Sequence, residues 1–394
     1  MPYVDFSQYS YFPSLLCGEH EKLAYSHLSE EDKEQILPIF ELSRHRSSIN
    51  FEFSLDTIRE IVPDKPFIID LDPRVAPDPY VAKNPKDPIA EGQRVADEAA
   101  ARDAFNAELQ RLLSSRNGFS QWRQLVAEHP NAIPMLQYSS PSREGRQILR
   151  QAAMLSRDST SMAIRIKPEE TNKDILEIIS QIYSVLPSAD QMLLIFDCGQ
   201  GRAGAQDKIN FVKSGIQSIM SALDVPQRAS VRAVCMSNSF PSPNHDGLKT
   251  TQSYDWRIWE GARESFPFRY GDYAATFRPK THSSFIPHTW RPTVGYAKDE
   301  GWLVNRDPNS EDPNGWVVGS ETIAAQVGTP PNFDELRDCW GNTMIADVAR
   351  NKNLSTVGAA RFWHAGRINS HLHRQIDYAP GKLAIYEDDQ EEND

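Results

Sequence analysis

Along the first 277 residues, short apolar runs alternate with longer segments of helical periodicity. The runs are YFPSLL (11–16), ILPIFEL (36–42), PFIIDLD (66–72), AIPMLQY (132–138), SMAIRIK (161–167), QMLLIFD (191–197), SVRAVCM (230–236) and RYGDYAATF (269–277). They do not alternate strictly between apolar and polar, which is the pattern of strands covered on both faces in a parallel sheet. Between them, EHEKLAYSHL (19–28), TNKDILEIISQIYSVL (171–186) and AQDKINFVKSGIQSIMSAL (205–223) space their apolar residues as amphipathic helices do. The second of these opens on a capping Thr171 or Asn172. Eight strands alternating with helices predict an α/β fold: a (β/α)8 TIM-like barrel over residues 1–279.

One connection exceeds the rest. Residues 73–130 open on the proline-rich DPRVAPDPYVAKNPKDP and continue into the helical EGQRVADEAAARDAFNAELQRLLSS. An insertion of this length is either a functional lid or contact surface, or a solvated embellishment. After Lys280 the pattern changes. RPTVGYAKDEGWLVNR reads as a hairpin, PNFDELRDCWGNTMIADVARN as a helix, and TVGAARFWHAGRINSHLHRQI as a helical, aromatic and basic close. Residues 280–380 are expected to form a small C-terminal α+β extension packed on the barrel, with 381–394 an acidic disordered tail.

Composition narrows the function classes. The net charge of −12 argues against direct nucleic-acid binding, which requires a concentrated basic face. Cys17, Cys198, Cys235 and Cys339 contain no CxxC pair, so neither a zinc site nor a disulfide framework is expected, and four reduced thiols suit a cytoplasmic protein. The start, MPYVDFSQYS, has no secretory pattern, and no run approaches the ~20 apolar residues of a membrane helix.

In a barrel of this kind the chemistry sits at the C-terminal ends of the strands. That rule selects Glu41, Arg44, Asp70, Asp72, Gln137, Arg165, Lys167, Asp197, Ser237 with its neighbour Asn238, and Asp272. Asp272 stands out as a carboxylate within an aromatic and apolar run, where burial demands a partner. Gathered at one mouth, these acids and bases make a mixed-charge pocket with two uses. Glu41, Asp70, Asp72 and Asp197 could hold a divalent cation such as magnesium while Arg165 and Lys167 clamp a phosphate, giving a metal-assisted phosphodiesterase or related hydrolase. Alternatively the charges satisfy one another, with or without binding a ligand. No HxxE, HExxH or P-loop spacing accompanies the acids. Cys17 and Cys198 lack an evident His partner and read as buried thiols, and GQGRAG (199–204) reads as a turn between strand and helix. In RFWHAGRINSHLHRQ, Phe362 and Trp363 dock a helix whose Arg361, His364, Arg367, His371, His373 and Arg374 form a basic rim, or else a phosphate contact.

The segments YFPSLLCGEHEKLAYSHL, ILPIFELS, PFIIDL, YGDYA, GYAKDEGWLVNR and FWHAGRINSHLH together resemble the beta-protein family, named for a phage protein and widespread in bacterial genomes. The likeness covers nearly the whole chain. It departs at Cys17, where the family usually has a lysine or another polar residue, and at His371 and His373, which are separated where the family often has adjacent histidines. The resemblance implies a barrel fold and a setting in phage–host conflict, and brings no established reaction. The expected action is therefore through a protein partner or a small anionic ligand at the mouth, with no membrane involved.

Overall fold

All eight apolar runs become parallel strands of one sheet. The computed structural model describes residues 3–391 apart from 77, 82–85, 159–160, 169–172, 202–203, 239, 241–244, 277–290, 309–313 and 328–335. In chain order it contains β1 (Tyr11–Leu16), α1 (Glu19–Ser26), α2 (Glu30–Glu34), β2 (Ile39–Leu42), α3 (Glu52–Ile61), β3 (Phe67–Leu71), α4 (Pro88–Leu112), α5 (Arg116–Ala127), β4 (Ala132–Pro134), α6 (Pro141–Asp158), β5 (Met162–Ile166) and α7 (Lys173–Val185). Next come β6 (Met192–Gln200), α8 (Ala205–Ala222), α9 (Val225–Ser230), β7 (Arg232–Asn238), β8 (Gly247–Gln252), α10 (Asp255–Arg263) and β9 (Arg269–Asp272). The chain ends with β10 (Thr293–Lys298), β11 (Gly301–Arg306), α11 (Asn314–Val327), α12 (Trp340–Asn351) and α13 (Ala360–Glu391). The expected Thr171 or Asn172 cap, part of GQGRAG and the boundary at 279 lie outside the described residues.

The sheet order is β4-β3-β2-β1-β9-β7-β6-β5. Its two end strands come together: Met135 and Ala163 form a parallel bridge, and the Leu136 N–H donates to the Ala163 carbonyl at 2.8 Å. The result is a nearly closed, eight-stranded, barrel-like parallel sheet. Side chains alternate between two faces at the period of two that strand geometry imposes. One set, with Phe12, Ile39, Ile68, Ile133, Ala163, Ile195, Val234 and Met236, fills the lumen as a single apolar cluster. The other set, with Tyr11, Phe40, Ile69, Ile164, Phe196 and Tyr270, packs outward against the helices. Val4, Phe6 and Tyr9 join the lumen cluster, and the Val4 N–H donates to Ser161 Oγ at 3.0 Å just ahead of β5, so the N-terminal segment covers the barrel's N-terminal end. Gly271 makes room in the lumen: a Cβ there would lie 2.8 Å from Val234 Cγ1 and 2.9 Å from the Phe12 carbonyl.

Three features differ from the expected domain plan. First, the insertion is built in, because Phe105, Leu109 and Leu112 of α4 belong to the main core and Asn106 accepts the Ala76 N–H at 2.9 Å. Second, the small antiparallel sheet has the order β10-β11-β8, so one of its strands comes from the connection between β7 and β9. The segment GLKTTQ is mostly exposed and is held by its ladder to β11, which leaves no apolar signature to read. Third, α13 continues past the expected limit at 380. Leu383 is buried in the main core and Lys382 pairs with Glu260 at 2.8 Å and Glu300 at 2.9 Å, so the start of the acidic segment is helical and anchored. Through Ala365, Ile368, Leu372 and Ile376 the same helix belongs to the barrel's outer layer.

Candidate functional site

The inward series ends in a polar layer at the C-terminal mouth. Each residue there lies two positions beyond an apolar lumen residue: Ser14 follows Phe12, Glu41 follows Ile39, Asp70 follows Ile68, Gln137 follows Met135, Arg165 follows Ala163 and Asp197 follows Ile195. Register strengthens the clustering, since Glu41 on β2 pairs directly with Asp70 on β3.

At the centre is the Arg165 guanidinium, 8% exposed. Its Nε donates to Asp70 Oδ2 at 3.0 Å, its Nη1 to Asp197 Oδ2 at 2.9 Å and its Nη2 to Glu41 Oε1 at 2.9 Å. Three carboxylates from three strands thus surround one cation, and Met236 Sδ of β7 lies 3.9 Å from Nη1. A second ring of donors holds the acids. Ser14 Oγ donates to Glu41 at 2.5 Å, and Gln137 Nε2 and the Leu71 N–H donate to Asp70 Oδ1 at 2.9 and 2.8 Å. The Gly199 N–H donates to Asp197 Oδ1 at 3.0 Å, and the Tyr273 hydroxyl donates to Asp197 Oδ2.

The electrostatics follow from burial and from three negative groups facing one positive group. Burial works against the Arg165 charge, but Glu41, Asp70 and Asp197 outweigh it and hold the guanidinium well above its ordinary range. Asp70 moves upward: burial is the main cause, Arg165 opposes it and the adjacent Glu41 adds to it.

Of the sequence-selected residues, Glu41, Asp70, Gln137, Arg165 and Asp197 come together in this layer. Asp72 is buried and is held by Arg74, whose Nε and Nη2 donate to its two oxygens at 2.7 and 2.6 Å. Arg44 lies beyond β2, with Nη1 2.9 Å from Glu98 Oε1 of α4, and so ties the insertion to this end of the barrel. Lys167, two residues past Arg165, is half-buried.

Asp272 and Ser237 do not join the layer. Gly271 and Met236 take the inward positions on their strands, so the next residue on each points out into the helices. Asp272 meets His371 of α13, with Nε2 2.7 Å from Oδ2, and accepts from Tyr11 (2.6 Å), Tyr270 (2.9 Å) and the Ala274 N–H (2.8 Å). Burial would raise its pKa, but His371 and the hydrogen bonds bring it below the ordinary aspartate value. Ser237 Oγ donates to Asp255 Oδ1 at 2.5 Å, and Asn238 Nδ2 donates to the Thr276 carbonyl at 2.8 Å.

The expected metal ligands do not fit a metal. Glu41, Asp70 and Asp197 converge on the guanidinium, and among the described residues no group of three or more His, Cys, Asp or Glu side chains is arranged to hold an ion. The expected phosphate clamp fares no better, because Arg165 has a carboxylate on each of its three nitrogens. Cys17 and Cys198 are buried, and Cys198 is pushed well above the usual thiol range by its contact with Cys235 and by burial. The members missed from sequence, Ser14 and Tyr273, were legible in principle, since each stands two residues past an inward position, Phe12 and Gly271.

No helix of the described residues is long and apolar enough to cross a membrane. The family model for Beta protein matches residues 11–377. The chain is also 26% identical over 397 residues to "Protein beta" of Enterobacteria phage P4, with 99% of each chain covered. A match running from β1 into α13 takes in every strand of the barrel and the small sheet, so the chain belongs to the Beta protein family.

Proposed function

We propose that the protein is a cytoplasmic TIM-like (β/α)8-barrel component of phage–host conflict that acts by binding, its mouth receiving a basic side chain presented by a protein partner. The phage setting rests on the end-to-end likeness to a phage protein. The observation that carries the binding reading is the charge of the polar layer. Among the described residues, Glu41, Asp70 and Asp197 all form ion pairs with the one Arg165 guanidinium and Asp72 pairs with Arg74, so four carboxylates of this end share two guanidinium groups. A lysine or arginine side chain supplies the charge and N–H donors that such a layer accepts, whereas an anion would lie beside three carboxylates whose shared guanidinium is already engaged. Metal-assisted hydrolysis has less support, because the same carboxylates are oriented by a guanidinium.

The test is calorimetric titration with short peptides bearing lysine and arginine, at about 0.15 M salt to suppress non-specific attraction to an acidic surface. Wild-type protein is expected to bind them, and Glu41→Gln and Asp197→Asn are each expected to weaken binding about tenfold, the worth of one charge-assisted hydrogen bond. Absence of binding, or affinity unchanged in both variants, overturns the reading.

A further inference from the structure

The inward series of the barrel ends in acids at the mouth and begins in arginines at the opposite end. On β7 it runs back from Met236 through Val234 to Arg232, and on β9 from Gly271 to Arg269, each step being two residues. Val234 pairs with Arg269 across the two strands, so the arginines open neighbouring strands on the same face. A third, Arg263, closes α10 and is 4% exposed. All three line one cavity of about 250 Å³ beneath the N-terminal ends of β6, β7 and β9, and Phe6, Leu193, Val231 and Pro267 give that cavity an apolar wall.

Two of the guanidinium groups are held in place by the fold itself. Arg232 Nη1 donates to the Ala229 and Val231 carbonyls at 3.1 and 3.0 Å. The Arg263 guanidinium lies over the Trp259 ring, 5.0 Å from its centre, and its Nη2 is 3.5 Å from the Leu383 carbonyl of α13. The reach of the cluster is visible at Asp5, an exposed carboxylate in the segment that covers this end of the barrel. The Ser7 hydroxyl and N–H, which donate to Asp5 Oδ1 at 2.7 and 2.9 Å, are the main cause of its lowered pKa; burial opposes them, and Arg232 and Arg269 lower it further. Ser7 also lines the cavity, so the edge at which Asp5 stands is one where the arginines favour negative charge.

We propose that Arg232, Arg263 and Arg269 form a binding site for a small phosphomonoester at the N-terminal end of the barrel. The site uses no residue of the mouth. Guanidinium forks match the oxygens of a phosphoryl group, and a group that carries close to two charges at neutral pH draws on three cations more fully than a carboxylate that carries one. The cavity sets the scale of the ligand. At about 250 Å³ it falls below the ~300–1,000 Å³ of pockets that enclose drug-sized molecules, so it takes the phosphoryl group together with a small apolar body laid against the wall.

The experiment is calorimetric titration of the full chain with phenyl phosphate, benzoate and inorganic phosphate, at about pH 7.5 and about 0.15 M salt. Benzoate keeps the ring and carries a single charge, whereas inorganic phosphate keeps the charge and lacks the ring. Phenyl phosphate is expected to bind about tenfold more tightly than benzoate and about threefold more tightly than inorganic phosphate. Arg232→Gln and Arg269→Gln should each weaken phenyl phosphate binding about tenfold. Asp5→Asn removes a competing negative charge at the edge of the cavity and should tighten binding about threefold, a gain that a merely structural role of the arginines does not produce. Circular dichroism checks that each variant is folded, and if the arginine variants do not fold, Asp5→Asn decides. The proposal is overturned if wild type does not bind phenyl phosphate at millimolar concentration, if benzoate or inorganic phosphate binds as tightly, or if the folded variants leave the affinity unchanged.

Discussion

Replacing Arg165 by methionine removes the one cation that three buried carboxylates share. Its nitrogens lie 2.9, 3.0 and 2.9 Å from Glu41, Asp70 and Asp197, and all four side chains are less than a tenth exposed. At an effective dielectric of about 20, each charge pair about 4 Å apart contributes about 4 kcal/mol of attraction, most of it offset by the cost of desolvating the partners. Breaking a single buried pair typically costs about 3–5 kcal/mol, because the remaining charge stays buried. Here three acids lose their cation at once, but Asp70, already displaced upward, relieves part of the repulsion by taking up a proton. The expected loss for Arg165→Met is therefore about 4 kcal/mol at neutral pH. Asp197→Asn leaves the guanidinium two carboxylates and should cost about 1–2 kcal/mol. The pH dependence gives a separate check. Without Arg165 the influence that opposes the rise of Asp70 is lost and its raised folded-state pKa moves further up, so the variant gains stability relative to wild type as pH falls toward about 5. Urea denaturation followed by circular dichroism, at about pH 7.5 and about pH 5, reads both effects. An Arg165→Met protein within about 1 kcal/mol of wild type at both values, or one more stable than Asp197→Asn, would refute the argument that the guanidinium organises the mouth.

Three other outcomes follow from the packing. Asp272→Asn removes the charge that His371, Tyr11, Tyr270 and the Ala274 N–H all address, and should cost about 3 kcal/mol in the same denaturation assay. Because the folded-state pKa of Asp272 is lowered, its contribution is present above the ordinary aspartate value of about 3.9 and is lost as pH falls through the lower folded value; the variant should lack that acid-induced loss. Gly271→Ala drives a methyl group against Val234 and the Phe12 backbone inside the lumen, so a loss of about 1–3 kcal/mol is expected, and a neutral result would mean that the barrel yields there. Leu383→Ala should lower the unfolding midpoint by the equivalent of about 2 kcal/mol, an effect that would be missing if the chain beyond 380 were unstructured.

The apolar runs by themselves determined the eight barrel strands and their order along the chain, because a strand buried on both faces carries its signal in a few consecutive residues. The rule that barrel chemistry sits at C-terminal strand ends then led to Glu41, Asp70, Gln137, Arg165 and Asp197, which do converge. Sequence also placed the hairpin of β10 and β11 and the long aromatic and basic helix at the end. Tertiary structure decided which face each strand-end residue takes. Asp272 and Asp70 look alike as acids in apolar runs, but only Asp70 has the inward parity, and the one-residue offset at Asp272 sends it to a histidine 99 positions away. Asp197 stands on β6, which pairs directly with the β5 of Arg165, but Glu41 and Asp70 come from β2 and β3 near the other end of the sheet and reach the guanidinium only because the sheet curls its ends together. The strand β8 was equally out of reach, since it depends on a backbone ladder to β11. Burial is written locally in the run of residues, but facing and pairing are properties of the nearly closed sheet and its helical shell.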